Sequence, residues 1–178
     1  TELGLRPLIL KINNRWNEKQ AENNVKKITD KLNYSHLHLI LNNEQWQEFQ
    51  LLQKAFLEAG LMNAEIPSDH LLMAITYQIA NKYKIKYIFS GGNHATEGIM
   101  PESWSYRSGD LKHMQGVFRW FTGRKIKGLP LCNLVKWNYY KWIKNIQIIN
   151  LLDYYEYNRE ETKKLLIEIF KIIPEYCR

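Results

Sequence analysis

The sequence predicts an α/β fold, a parallel sheet with helices on both faces, followed by a basic, aromatic-rich and mostly helical part. Three observations lead there. As far as Phe89, short apolar runs of strand length alternate with amphipathic stretches of helical spacing, the pattern of parallel strands joined by helical crossovers. The runs His36–Leu41 and Lys86–Phe89 lead straight into turn-forming residues, Asn42-Asn43 and Ser90-Gly91-Gly92-Asn93. Beyond about Gly98 the texture becomes rich in Trp and Tyr, interrupted by glycine, and basic, so the chain divides into residues 1–98 and 99–178.

Each element has its own signal. Arg6–Asn14 is a short apolar run ending in Asn-Asn, read as a buried strand and a turn. Ala21, Val25, Ile28 and Leu32 recur at helical spacing, predicting an amphipathic helix over about Glu18–Leu32. His36–Leu41 is a second strand; His36 and His38 alternate on one side of it, where packing is expected rather than a metal. Trp46, Phe49, Leu52 and Phe56 mark a second helix stopped near Gly60. After a loop with Pro67, Ser68 or Asp69 is expected to cap a third helix carrying Leu71, Leu72, Ile75 and Ile79. Lys86–Phe89 is a third strand. Gly109–Phe121 and Cys132–Ile143 are expected helices, Ile146–Leu151 a fourth strand, and Arg159–Phe170 a last amphipathic helix. In a parallel sheet, binding residues sit at the carboxyl ends of strands, here Asn13–Trp16, Asn42–Asn43 and Ser90–Glu97.

Composition narrows the class. At 178 residues the chain is long enough for one domain with a real core, and 45% hydrophobic with 24% charged residues excludes a disordered or fibrous chain. No apolar run approaches the roughly 20 residues a spanning helix needs, and no basic stretch with an apolar core follows Thr1. Cys132 and Cys177 stand far apart and outside any Cys-x-x-Cys pair, which fits a reducing cytoplasm better than a disulfide framework or a zinc site. The formal charge of +7 is concentrated: Arg107–Lys144 holds nine basic residues against one acid, Asp110. A stretch of that kind usually faces a polyanion, a phosphate or an acidic partner.

The strongest local feature is Ser90-Gly91-Gly92-Asn93-His94-Ala95-Thr96-Glu97. Two glycines after an apolar strand let backbone N–H groups approach an anion closely. An ordinary strand-to-loop turn would look similar, but the polar residues that follow at once, with Glu97 available for a metal ion, favour a site. It is neither a Gly-x-Gly-x-x-Gly dinucleotide turn nor a Gly-Lys-Ser/Thr phosphate loop.

The run Ile85–Gly98 (IKYIFSGGNHATEG) resembles the second conserved loop of the N-acetyl sugar amidotransferases. These are PP-loop ATP pyrophosphatases, related to NAD and GMP synthetases. Lys11–Asn17, Glu65–His70 (EIPSDH), Pro101–Tyr106 with Asp110, Gly128–Leu131 and Tyr157–Glu161 continue the resemblance in order along most of the chain. The resemblance implies a Rossmann-like fold of the adenine-nucleotide alpha hydrolase type, with residues 1–98 as a nucleotide-binding domain and 99–178 as a basic substrate-binding segment. It further implies an ATP-dependent ligation: the N-acetyl group of a sugar is adenylated, pyrophosphate leaves, and ammonia displaces AMP. The product is an acetamidino sugar, of the pseudaminic acid kind, for bacterial surface polysaccharide or flagellin.

Residue roles follow from the same resemblance. Glu97 is expected to hold Mg²⁺ and, with Asn93 and His94, to serve catalysis. Asn13, Asn14, Ser90, Gly91, Gly92 and Thr96 are expected around ATP. Asp69, His70, Trp104, Tyr106 and Arg107 are expected to meet the sugar or its anionic group. Asn13 and Asn14 equally suit an Asx-turn, and Trp104 and Tyr106 equally suit packing. Expected partners are the N-acetyl sugar and a glutaminase subunit supplying ammonia, with a homodimer left open; neither a membrane nor nucleic acid is expected.

The sequence also departs from the family. The Ser-Gly-Gly-x-Asp-Ser pyrophosphate loop is missing, because Asn93-His94 stands where Asp-Ser should, and so are the family's N-terminal cysteine motifs. The chain reads as a segment that begins at the family's second strand, so the native protein is expected to be longer. A sheet deprived of its central strand loses ladder bonds and a packing partner. Two rival readings stay open: another PP-loop enzyme, such as one modifying tRNA, whose basic stretch would grip RNA phosphates, and a non-catalytic remnant that binds a partner.

Overall fold

The computed structural model describes residues 4–13, 15–16, 18–34, 36–61, 63–92, 107–156 and 158–172. Along the chain run β1 (Ile9–Asn13), α1 (Lys19–Leu32), β2 (His36–Ile40), α2 (Asn43–Glu58), α3 (Ile66–Lys82) and β3 (Tyr87–Ser90). They are followed by α4 (Leu111–Thr122), α5 (Leu134–Asn138), a π-helical turn (Tyr139–Ile143), β4 (Gln147–Asn150), a 3-10 turn (Leu151–Tyr154) and α6 (Arg159–Phe170). Two compact units result, one of Thr1–Leu41 with Glu156–Arg178, the other of Asn42–Tyr155. The division expected at residue 98 lies outside the described residues.

The strands are parallel, as their helical connections require, but they form two pairs. β1 runs beside β2 from Ile9 opposite His36 to Asn13 opposite Ile40. β3 runs beside β4 from Tyr87 opposite Gln147 to Ser90 opposite Asn150. The expectation of one sheet covered on both faces is therefore corrected to two parallel two-stranded sheets among the described residues. Burial gives the physical reason. A strand covered on both faces is buried along its length, whereas β2 and β3 alternate exposed and half-buried residues, leaving His36, His38, Ile40, Tyr87 and Phe89 exposed. His36 and His38 do share a side, but the exposed one, which corrects the packing expected of them.

In the larger unit the core is helical. Phe49, Leu52 and Phe56, three to four residues apart on α2, are buried with Leu71, Ala74 and Ile75 of α3 and Met114 and Phe118 of α4. Truncating Phe56 to Ala would cost about 3–5 kcal/mol, the usual loss for a fully buried ring. A second cluster joins Ala74, Tyr77 and Ala80 of α3 to Cys132, Tyr140 and Ile146, with Ile88 and Ile148 of the β3–β4 pair packed against it. The smaller unit is thinner: Thr29 and Leu41 are its buried residues among those described. There α1 packs on α6, and the Lys27 and Lys31 ammonium groups donate to the carbonyls of Lys171 and Ile169 at the end of α6. Cations suit a helix carboxyl end.

Helix ends show where local rules held. The Asn42 side chain accepts from the Gln45 N–H at 2.9 Å while the Gln45 side chain accepts from the Asn42 N–H at 3.2 Å, a complete capping box for α2. The helix stops at Gly60, which adopts φ +63°. For α3 the cap is Glu65 rather than Ser68 or Asp69. Pro67 fits the first turn, where its missing N–H leaves nothing unpaired, and Ile66 is already in the core. The helix expected from Cys132 begins at Leu134, capped by the Asn133 side chain, which accepts from the Lys136 N–H at 2.9 Å. Cys132 stays outside because its N–H is taken by His70 Nε2 at 3.1 Å.

Candidate functional site

In the larger unit two segments carry the expected site residues, the carboxyl end of β3 and the segment Arg107–Asp110 ahead of α4. β3 ends at Ser90, half-buried, whose Oγ accepts from the Gly92 N–H at 3.1 Å. This closes a short turn over Gly91. Gly91 has no left-handed φ, and a Cβ placed on it would meet no described residue within 4 Å. Neither backbone conformation nor the described neighbours require glycine at this point, so its lack of a side chain leaves room over the backbone. Asn93, His94, Thr96, Glu97, Trp104 and Tyr106 lie outside the described residues.

Four successive residues ahead of α4, Arg107–Asp110, are fixed by hydrogen bonds. The Arg107 carbonyl accepts from the Asp110 N–H at 3.0 Å. The Ser108 carbonyl accepts from His70 Nδ1 at 2.6 Å, and the Gly109 carbonyl from Trp137 Nε1 at 3.2 Å. The Asp110 carboxylate caps α4 by accepting from the His113 N–H at 3.0 Å. Arg107 itself is exposed and available to an anionic ligand.

His70 has one tautomer open to it. Nε2 accepts from the Cys132 N–H, so Nδ1 must carry the proton that reaches Ser108. Burial pushes its pKa below the usual histidine value, against the opposing pull of the Ser108 carbonyl. The Trp137 ring meets the imidazole edge-to-face at 5.6 Å. Both ring nitrogens of this expected substrate residue are thus occupied by the fold. Its neighbour Asp69 is exposed in the first turn of α3. Partial desolvation, and then repulsion from Glu65, hold its carboxyl above the ordinary range. Among the described residues, Asp69 and Arg107 are the expected substrate residues that present side chains to solvent.

In the smaller unit the carboxyl ends of β1 and β2 form a second polar cluster. The Asn13 carboxamide donates to Glu22 Oε1 at 2.7 Å and accepts from the Arg15 N–H at 2.7 Å, the Asx-turn that the sequence left open. Arg15 sits at φ +62°, and its guanidinium donates to the Leu41 carbonyl at 3.0 Å, across the ends of both strands. Asn13 is thereby engaged within the chain, while Arg15, which falls in the expected segment Asn13–Trp16 but was given no role of its own, brings the positive charge. Asn14 lies outside the described residues. Asn42, also expected near a ligand, is occupied by its capping box.

Glu48 on α2 was likewise not singled out by its sequence context. Its carboxylate accepts from three successive backbone N–H groups, Lys127 at 2.8 Å, Gly128 at 2.7 Å and Leu129 at 3.1 Å. Gly128 matters here, because a Cβ on it would stand 3.2 Å from Glu48 Oε2. Thus part of the basic stretch folds around an acid of the chain itself. Among the described residues no group of three or more His, Cys, Asp or Glu could hold a metal ion, and no helix is long and apolar enough to cross a membrane. Comparison with protein-family models, curated proteins and solved structures finds no match to the chain.

Proposed function

We propose that the chain belongs to an ATP-dependent amidotransferase that converts the N-acetyl group of a sugar into an acetamidino group. The observation that carries this reading is the Ser90–Gly92 turn at the carboxyl end of a parallel strand, where no described residue would meet a side chain on Gly91. Carboxyl ends of parallel strands are where α/β proteins bind nucleotides, and a glycine not required by its own fold suits close approach by a phosphate. The sequence resemblance supplies the reaction class.

The chemistry sets what the residues must do. An amide oxygen is a poor leaving group until it becomes a phosphate ester, which ATP supplies with loss of pyrophosphate. The turn at Ser90–Gly92 would seat phosphate oxygens against backbone. Arg107, fixed at its carbonyl end by the Asp110 N–H, would add positive charge where negative charge develops. Asp69, with its carboxyl held above the ordinary range, would accept hydrogen bonds from sugar hydroxyls. Glu97 would hold magnesium, which would offset the charge of the phosphates. His70 and Trp137 would keep the segment Arg107–Asp110 in place rather than touch the reactants.

Release of pyrophosphate tests the reading. The chain is incubated with ATP, Mg²⁺, ammonia and acetamido sugars, and the expected result is sugar-dependent pyrophosphate release. No nucleotide binding would favour a partner-binding remnant. The tRNA-modifying alternative draws on the concentrated basic stretch. Binding to tRNA whose affinity falls steeply with salt, with no response to sugar, would establish it in place of the sugar reaction.

A further inference from the structure

The helix over 134–143 carries two faces of opposite meaning. One face packs inward through Trp137 and Tyr140, with the Tyr140 ring stacked on Tyr77 at 5.8 Å and Trp137 edge-on to Tyr77 at 5.4 Å. The other exposes large apolar side chains: Leu134 at 67%, Val135 at 75%, Trp142 at 74% and Ile143 at 72%. These are two adjacent pairs, eight residues apart. In a regular α-helix two turns take about seven residues, but here the second turn is π-wound, and the wider turn means two turns take about eight. The winding therefore brings Trp142 into line with Leu134 and Ile143 into line with Val135 two turns on, with exposed Asn138 between the first pair and exposed Tyr139 between the second, so that the apolar side chains share one side of the helix. π-turns recur at functional places in helices, and this one aligns the exposed stripe.

Cations flank the stripe. Lys136 and Lys141 are exposed on the same helix, and the Lys144 ammonium lies 5.3 Å from the centre of the Tyr139 ring. The Lys86 ammonium donates to the Lys144 carbonyl at 2.6 Å, placing a fourth lysine at that end. The single acid of Arg107–Lys144, Asp110, is engaged as the cap of α4. An apolar stripe bearing tryptophan and bordered by lysines fits a surface that is apolar within and anionic at its rim.

We propose that this helix seats the protein on an anionic phospholipid surface, its stripe in the headgroup–acyl boundary and its lysines on lipid phosphates. The seat spans nothing, and it is independent of the catalytic reading. Two other occupants fit less well. A second copy would bring lysine against lysine. Single-stranded nucleic acid stacks on aromatic rings but gains little from Leu134, Val135 and Ile143.

Cosedimentation of the 178-residue chain with vesicles tests the seat, comparing phosphatidylglycerol mixed into phosphatidylcholine with phosphatidylcholine alone. Binding is expected to the anionic vesicles. It should weaken about tenfold or more in W142S/I143S and, separately, in K136E/K141E, because both the apolar and the ionic contribution are lost. All four positions are exposed, and circular dichroism checks that each variant folds. No binding of the parent chain at low salt overturns the proposal. So does binding that K136E/K141E abolishes and W142S/I143S leaves unchanged, which would be adsorption of the basic stretch alone. A dimer in sedimentation equilibrium that W142S/I143S dissolves, without vesicle binding, would assign the stripe to a second copy. Tighter binding to single-stranded RNA than to vesicles, lost in W142S/I143S, would assign it to nucleic acid.

Discussion

His70 Nδ1 donates to the Ser108 carbonyl over 2.6 Å, joining α3 to the segment that leads into α4. The same imidazole accepts the Cys132 N–H at 3.1 Å, so one buried ring ties two separate segments to one helix. His70→Ala should lose both bonds and strand a half-buried carbonyl and a buried N–H. The expected cost is about 2–4 kcal/mol in chemical denaturation.

The same residue sets a pH dependence. Its folded pKa lies below the unfolded value of 6.5 because burial disfavours the imidazolium. The unfolded chain therefore binds the proton more readily. This contribution to stability is full above pH 6.5 and is lost as the pH falls from there through the folded pKa. Denaturation midpoints across that window should fall for the parent chain, and the fall should be smaller in His70→Ala. Parallel pH profiles for the two proteins would show that another group is responsible.

Glu48→Ala should release the turn at Lys127–Leu129, which that carboxylate holds through three N–H groups. The carboxylate is only half-buried, so water can replace part of what is lost, and the expected cost is about 1–2 kcal/mol. Hydrogen exchange at the amides of Lys127, Gly128 and Leu129 should accelerate more than exchange in α2. Glu48→Gln, with one acceptor oxygen left, should fall between.

Gly91→Ala separates stability from binding. The added methyl meets none of the described residues within 4 Å and the backbone needs no positive φ, so stability should change by no more than about 0.5 kcal/mol. Nucleotide affinity, measured by calorimetry, should fall about tenfold, equivalent to roughly 1.4 kcal/mol. Unchanged affinity would remove Gly91 from the phosphate site.

Arg15 holds a left-handed backbone, φ +62°, at the carboxyl end of β1. Arg15→Ala and Arg15→Gly both lose the hydrogen bond to Leu41, but only alanine keeps the steric penalty of that conformation. The glycine variant should be the more stable of the two by about 1 kcal/mol. Equal midpoints would mean that this backbone relaxes when the guanidinium is removed.

The local elements were legible in the sequence because their causes are local. The 3–4 spacing of Phe49, Leu52 and Phe56 placed α2, Gly60 ended it, and Asn13 carried its own Asx-turn. Where a distant partner intervened, the reading slipped. Cys132 left its expected helix because His70, 62 positions away, takes its N–H. Ser68 gave up its expected capping role because α3 starts earlier, at Ile66, and its hydroxyl instead accepts from the Gln53 side chain at 3.3 Å.

By itself, then, the sequence determined an α/β chain of parallel strands and amphipathic helices, a glycine turn after β3, and a basic, aromatic second half. Those follow from composition and from periodicities of two and 3.6, which need no knowledge of what lies opposite. Only tertiary structure decided that the strands pair two by two, that Glu48 closes the turn at Gly128, and that His70 anchors Ser108. Each is a contact between residues far apart in the chain, chosen by which donor finds which acceptor once the helices have packed.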